Sequence, residues 1–305
     1  MLVSIPFFIP VYQQKTITVK SSFLNVFSLL LNPEKWERWR KDLHNDILAD
    51  SSKIAIHKDA GAFSISYALL NLKVQLKENT FNVDERLDGK SSSYNYGVIP
   101  VPDKLPPRTV VTANKQVCIA HWVLQSIWPI SFADTHIDEL KNYFETDSLL
   151  YGFKIFKTGV PESFLIVSNK QVLKKDEFTE AASLLDKLQT YIKTHNIKKL
   201  QPLIAQFRPI VKDTVEVKVG FFVDKEVKSD NLVTFNRMPK GGPLYAARFY
   251  GDFNKRQAVY NALHQYYADH LYQSAILPFE MYLDDKLPVS DTSKVKIQVN
   301  FSGFF

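Results

Sequence analysis

The sequence predicts an α+β fold in two parts. The first is an antiparallel sheet curved around one closing helix, and the second a duplicated βαββ domain with pseudo-two-fold symmetry. Three observations carry this. In the first half, period-two runs and helical stripes are segregated, in the order strand, two helices, several strands, helix. A self-match at a fixed offset runs through the second half. The length of 305 residues suits two domains of roughly 150 residues each.

Residues 14–20 alternate and read as a strand. Ser21 and Ser22 offer oxygens to the free N–H groups that open a helix over 23–31. Asn32-Pro33 starts a second helix with proline in its first position, and Trp36 and Trp39 share one face of it. Strand-like runs follow at 53–58, 62–69, 72–79, 81–87 and 92–101, with a longer pair around 109–128. Asp59-Ala60-Gly61 and Asp88-Gly89-Lys90 mark turns between them. Asp134 opens a helix to about residue 150, with Ile137, Leu140, Tyr143 and Phe144 on one stripe. Residues 152–162, with Gly159 and Pro161, read as a connector, which sets domains at 12–157 and 158–305.

The second half runs through one series twice. A strand over 163–173, a helix capped by Asp176, a strand opened by Pro202 and a strand over 215–223 form the first copy. The second has a strand over 244–249, a helix capped by Asp252, a strand opened by Pro278 and a strand over 295–301. Asp176/Asp252, Tyr191/Tyr267, Pro202/Pro278 and Lys218/Lys294 are each 76 apart. Two such units put both helices on one face of a sheet and leave the other face for a groove. At this offset Ile204 matches Glu280 and Gln206 matches Tyr282. Glu280 and Tyr282 alternate with Phe279, Met281 and Leu283, so the two share a face. A carboxylate on an otherwise apolar face needs a positive partner.

The net charge of +6 is dispersed, without a dense Lys/Arg cluster, and no helix-turn-helix pattern is found, so no nucleic-acid partner is expected. His44, His57, His121, His136, His195, His264, His270 and the single Cys118 make no HExxH or CxxC pattern, so no metal is expected. One cysteine excludes an intramolecular disulfide, and Cys118, in an apolar run, reads as a small core residue. GxGxxG, P-loop and GxSxG motifs are absent, and no cofactor is expected.

Residues 1–11 are nearly all apolar, too few to span a bilayer, which takes about 20. They lack a basic n-region and a cleavage site, which argues against a signal peptide. Two readings stay open: the end of a membrane anchor, or a peripheral segment packed on the domain. The expected location is cytoplasmic, with membrane association through residues 1–11 under the first reading.

Two stretches resemble known families. Ile17-Thr18-Val19, the helix Phe23-Leu24-Asn25-Val26-Phe27-Ser28-Leu29-Leu30, and Asn32-Pro33-Glu34-Lys35-Trp36-Glu37-Arg38-Trp39 together resemble the opening of SRPBCC (START-like, polyketide cyclase/lipid-transfer) domains. The resemblance covers residues 12–155. It implies a helix-grip fold with a deep apolar cavity between sheet and closing helix, lined by Trp122, Trp128, Phe63, Tyr67 and Tyr94.

The second stretch is Pro239-Lys240-Gly241-Gly242-Pro243-Leu244-Tyr245-Ala246-Ala247-Arg248-Phe249-Tyr250-Gly251-Asp252-Phe253, then a helix, then Pro278-Phe279-Glu280-Met281-Tyr282. It resembles a GyrI-like small-molecule-binding domain, the effector-binding domain of AraC-type and multidrug-responsive regulators, over residues 158–305. It departs from that family at Asp252-Phe253, where Pro-Tyr is usual. The resemblance implies a pocket in which a central Glu and nearby aromatics hold an amphipathic, often cationic ligand. Carried over by motif, these are Glu280 and Tyr282, with Tyr245 and Phe249 on the neighbouring strand; Phe207 is a further candidate for the same pocket. The function expected is a binding or sensing protein for a hydrophobic or amphipathic small molecule. The alternative is a hydrolase acting on a hydrophobic or electrophilic small molecule, with Glu280 as general base toward water.

Overall fold

The computed structural model describes residues 10–43, 54–67, 69–118 and 135–303, with backbone only at Pro10 and Cys118. The described residues form two antiparallel sheets with helices, a mixed α+β architecture. They divide into two compact units, the first ending at Leu150 and also holding Asp269–Leu271, the second holding Tyr151–Ala268 and the residues from Tyr272 on. Residues 1–9, including most of the apolar start, lie outside the described residues, as do Trp122 and Trp128. Among the described residues no helix is long and apolar enough to cross a membrane.

In the first unit, strand β1 (Pro10–Val19) leads into helix α1 (Phe23–Leu31). Ser22 caps α1 by accepting the Asn25 N–H at 3.3 Å. Asn32 repeats the device on Glu34 at 3.1 Å, but the turn it opens, Pro33–Arg38, is a 3-10 helix rather than an α-helix. Strands β2 (Ala55–Asp59), β3 (Ala62–Tyr67), β4 (Leu70–Lys77), β5 (Thr80–Leu87), β6 (Lys90–Val101) and β7 (Arg108–Cys118) complete a sheet of order β1-β7-β6-β5-β4-β3-β2. Alternation puts Leu72, Val74, Phe81, Val83, Tyr96, Val98 and Val111 on the buried face. Against them pack α1, Trp36, Trp39 and helix α2 (Ile137–Glu145), whose stripe of Ile137, Leu140, Tyr143 and Phe144 is buried as its spacing requires. The closing helix is shorter than expected. It stops at Thr146, and a separate turn, α3 (Asp147–Leu150), follows.

The second unit is one eight-stranded sheet. Its strands are β8 (Ile155–Gly159), β9 (Phe164–Leu173), β10 (Leu203–Val211), β11 (Thr214–Val223), β12 (Thr234–Arg237), β13 (Pro243–Asp252), β14 (Phe279–Tyr282) and β15 (Lys294–Ser302). Their order, β12-β9-β11-β10-β14-β15-β13-β8, is that of two βαββ units joined through their third elements, β10 and β14. Helices α4 (Glu177–Thr194) and α5 (Gln257–His270) each follow the first strand of their copy. The residues read as a connector hold a strand, because β8 pairs with β13 as the outermost strand of this sheet.

The repeat is present, but its offset is not constant. Leu203 and Phe279 open their strands 76 residues apart, whereas Thr214 and Lys294 open theirs 80 apart. The match of Ile204 with Glu280 fails by facing, because Ala205 is the residue paired with Glu280 and Ile204 is paired with Met281. Ile204 packs with Phe279 and Met281 on the face away from the helices, while Tyr282 joins the cluster under α4 and α5. Asp176 and Asp252 do not cap their helices with their side chains: Asp176 ends a short 3-10 turn, Lys174–Asp176, and Asp252 precedes another, Phe253–Arg256. Asp252 instead meets Lys294 at 2.5 Å and Lys255 at 3.0 Å.

Candidate functional site

β14 is only four residues long, and all four are buried. Phe279 and Met281 point to one face and Glu280 and Tyr282 to the other, beneath the helices. The neighbour directly across from Glu280 is Ala205 on β10. Its methyl group leaves room for a carboxylate that is itself only 1% exposed.

That carboxylate has three donors. Oε1 accepts Arg256 Nε at 2.9 Å and the Tyr260 hydroxyl at 2.9 Å, and Oε2 accepts the Tyr282 hydroxyl at 2.6 Å. Arg256 ends the 3-10 turn Phe253–Arg256, and Tyr260 lies one helical turn further, so both reach the same strand. The turn is fixed to the chain by Phe253 N–H to the Ser293 carbonyl, 2.9 Å, and Asn254 N–H to the Asp291 carbonyl, 2.9 Å. The Arg256 guanidinium carbon lies 3.5 Å from the Phe253 ring centroid and 5.9 Å from that of Phe207. Phe178, Phe207 and Phe253 pack on one another, with Phe253 edge-on to the other two at 5.4 and 5.1 Å. The site is thus a carboxylate at the base, aromatic walls and a planar cation between them. Burial, followed by the charge of Glu280, pushes the hydroxyls of Tyr260 and Tyr282 well above the usual tyrosine range, so both remain donors.

Of the residues singled out from sequence, Glu280, Tyr282 and Phe207 are brought together. Tyr245 is not among them. β13 pairs with β15 and β8, so it is not the neighbour of β14. Tyr245 stacks on Tyr272 at 4.6 Å, its hydroxyl donating to that of Tyr272 at 2.8 Å, and meets Tyr267 edge-on at 5.9 Å. Phe249 is a buried core residue of β13. Sequence reasoning missed Arg256, Tyr260, Phe253 and Phe178. A lone arginine before a helix carries no signal until topology sets it opposite Glu280.

The helix-free face of the same sheet has a groove of about 370 Å³ along Ile204, Gln206, Lys218, Gly220 and Phe279. Glu280 does not line it.

The first unit contains a similar polar centre. Glu85 follows Phe81 and Val83 in alternation, so it faces the core. Arg40 reaches it from the helical layer, donating Nη1 to Oε2 at 2.9 Å and Nη2 to Oε1 at 3.1 Å. Arg40 also donates to Asp42 through Nε at 3.0 Å and through Nη2, and it contacts His136 Nε2 at 3.1 Å. Asp42, Glu85 and His136 hold ligand-type atoms within 4.8 Å of one another, yet Arg40 hydrogen-bonds all three and already supplies the positive charge there. The guanidinium holds the Asp42 carboxyl below the usual range against the opposing effect of burial. Tyr94, named as a cavity residue, donates to Glu85 at 3.1 Å within this network. Phe63 packs edge-on to Trp36 at 5.6 Å, and Tyr67 ends β3 half-buried.

No protein-family model matches the chain, and no curated protein matches it. Among solved structures, the C-terminal domain of EcmrR matches 50% of this chain and 98% of its own, at TM-score 0.41 and 16% identity. An uncharacterized conserved protein from Listeria innocua matches 50% of this chain and 92% of its own, at TM-score 0.38 and 13% identity. SAV2435, solved bound to tetraphenylphosphonium, matches 50% of this chain and 94% of its own, at TM-score 0.31 and 9% identity. Likenesses this remote say nothing of what the chain binds.

Proposed function

We propose that the second unit, residues 158–305 in the sequence reading, is a GyrI-like binding module for an amphipathic cation, centred on Glu280. The observation that carries this is a carboxylate 1% exposed, set in an aromatic enclosure and partnered by a guanidinium. A buried carboxylate is tolerated only with a cation and further donors. Aromatic walls add roughly 0.5–2 kcal/mol for a cation on a ring face. The two βαββ copies and the Pro-x-Glu-x-Tyr strand agree with the resemblance.

The hydrolase alternative is the weaker one. Glu280 already accepts three hydrogen bonds, which leaves little lone-pair capacity for abstracting a proton from water. For the first unit we infer a helix-grip domain. The strand order β1-β7-β6-β5-β4-β3-β2, with α1 and α2 packed on one face, supports that reading.

A fluorescence titration with 9-aminoacridinium, a planar cation that carries N–H donors, tests the binding role. Glu280→Gln is expected to weaken binding by about tenfold or more. Equal affinity in the two proteins would remove Glu280 from the site. Hydrolysis of a 4-nitrophenyl ester that vanishes in Glu280→Gln would favour the hydrolase.

A further inference from the structure

We propose that Arg256 is the resident occupant of the Glu280 site, and that the ligand replacing it is a planar N–H-donating cation: an amidinium or guanidinium on an apolar body. This rests on the reading of Glu280 as a cation-binding carboxylate. Four observations support it.

The first is the pose. The guanidinium is stacked on Phe253 at 3.5 Å and donates Nε to Glu280 at 2.9 Å. That spacing suits a flat cation. A quaternary ammonium is thicker and has no N–H to give Oε1.

The second is how lightly Arg256 is held. It donates Nε to Glu280 and Nη1 to the Phe253 carbonyl at 3.1 Å, and its side chain is 17% exposed. Arg40 in the first unit is the contrast. It is fully buried, and Nε, Nη1 and Nη2 all reach carboxylates. One arginine is a structural tie, and the other has a path to solvent.

The third is what remains if Arg256 turns outward. Tyr260 and Tyr282 still donate to Glu280, one to each oxygen, so the carboxylate is not stripped of partners. The fourth is the wall. Phe178, Phe207 and Phe253 come from α4, β10 and the 3-10 turn, and the three rings pack on one another with centroids 5.1–6.1 Å apart.

A ligand must then compete with an intramolecular cation, which lowers its apparent affinity by the fraction of molecules with Arg256 turned out. The chain would respond to such cations only at high concentration, and it would reject neutral aromatics of the same shape.

The test is calorimetric titration of the full chain with benzamidinium chloride. Arg256→Gln, which removes the competing charge, is expected to bind at least about tenfold more tightly than the unaltered protein. Adding Glu280→Gln to that variant is expected to abolish binding. Benzyltrimethylammonium is expected to bind Arg256→Gln more weakly than benzamidinium does. Equal benzamidinium affinity with and without Arg256, lost in Glu280→Gln, would overturn the competition by Arg256 while leaving Glu280 as a cation site. Absence of binding in every variant would overturn both readings. Tighter binding of the quaternary ammonium would overturn the planar N–H requirement. If circular dichroism shows that Arg256→Gln does not fold, the unaltered protein still decides. The Arg256 Nε–H nuclear magnetic resonance should shift and lose exchange protection as benzamidinium is added. A resonance unmoved at saturating benzamidinium would overturn the proposal.

Discussion

At the scale of single residues, the two units solve one problem in the same way. Each buries a glutamate on the core face of its sheet, and each gives it an arginine from the helical layer and a tyrosine from the sheet: Glu85 with Arg40 and Tyr94, Glu280 with Arg256 and Tyr282. Breaking such a pair from one side leaves a stranded charge. Glu280→Leu is therefore expected to destabilise the second unit by roughly 3 kcal/mol in urea denaturation. Adding Arg256→Met should recover about 1–3 kcal/mol of that, because the guanidinium left without its carboxylate is gone, while the Tyr260 and Tyr282 hydroxyls still lack the Glu280 acceptor. A strictly additive double variant would show that the pair is not coupled. The tyrosines make the same point through pH. Burial and the Glu280 charge raise the pKa of Tyr260 and Tyr282 in the fold, while an unfolded tyrosine ionises near about 10. Above that pH the unfolded chain holds fewer protons than the folded one, so stability is intact below about pH 10 and declines as pH rises past it. Tyrosinate absorbance of these two residues should appear only with unfolding, and Tyr260→Phe and Tyr282→Phe should each reduce the alkaline slope. Reversible ionisation near pH 10 in the folded protein would contradict the hydrogen-bond assignment. The shared face of Glu280 and Tyr282 was legible because alternation in a strand is a strict geometric rule. Arg256 was not, because its role depends on a strand 24 positions away.

At the scale of elements, caps and close approaches separate what local sequence decides from what it does not. Ser22 caps α1 and was readable, since a serine before an apolar helix has few better uses. Asp176 looked equivalent, yet the chain turns through a 3-10 segment and its side chain makes no cap bond. Ser22→Ala should thus lower the stability of the first unit by about 1 kcal/mol, whereas Asp176→Ala should leave the thermal midpoint where it was. Equal losses would mean that Asp176 caps after all. Gly220 on β11 is a stricter case. A Cβ there would lie 2.7 Å from the Ile166 carbonyl oxygen and 2.8 Å from Val167 Cγ1. Backbone cannot yield as a side-chain tip can, so Gly220→Ala is expected to cost about 1–3 kcal/mol and to disturb the β9–β11 ladder, readable as lost amide protection in hydrogen exchange. The repeat illustrates the same limit. Matching residues at one offset found both copies, but a strand that shifts by an odd number of residues turns its side chains over. That is why Ile204 was paired with Glu280 although they face opposite sides.

At the scale of the whole molecule, fold class and duplication were legible because both are written in periodicity over long spans, where local exceptions average out. The strand order was not, since it depends on non-local pairing. β8 and β12, five and four residues long, each flank one copy of the duplicated sheet, and neither was read from its short segment. Their positions bear on how independent the second unit is. With β8 included, the sheet runs from β12 to β8, and its main core is drawn from both copies and both helices. A unit cut at residue 158 would lose all but the last two residues of β8, expose most of the β13 edge and forfeit the ladder from Tyr245 to Ala247. Residues 151–305 are therefore expected to unfold in urea as one cooperative transition, and residues 160–305 to do so at a lower midpoint and to associate through the exposed edge. Sedimentation and urea curves of the two fragments decide this. Equal midpoints with both fragments monomeric would mean that β8 is dispensable and that the shorter boundary is the true one. A non-cooperative transition in the longer fragment would mean that the duplicated sheet is not a folding unit by itself.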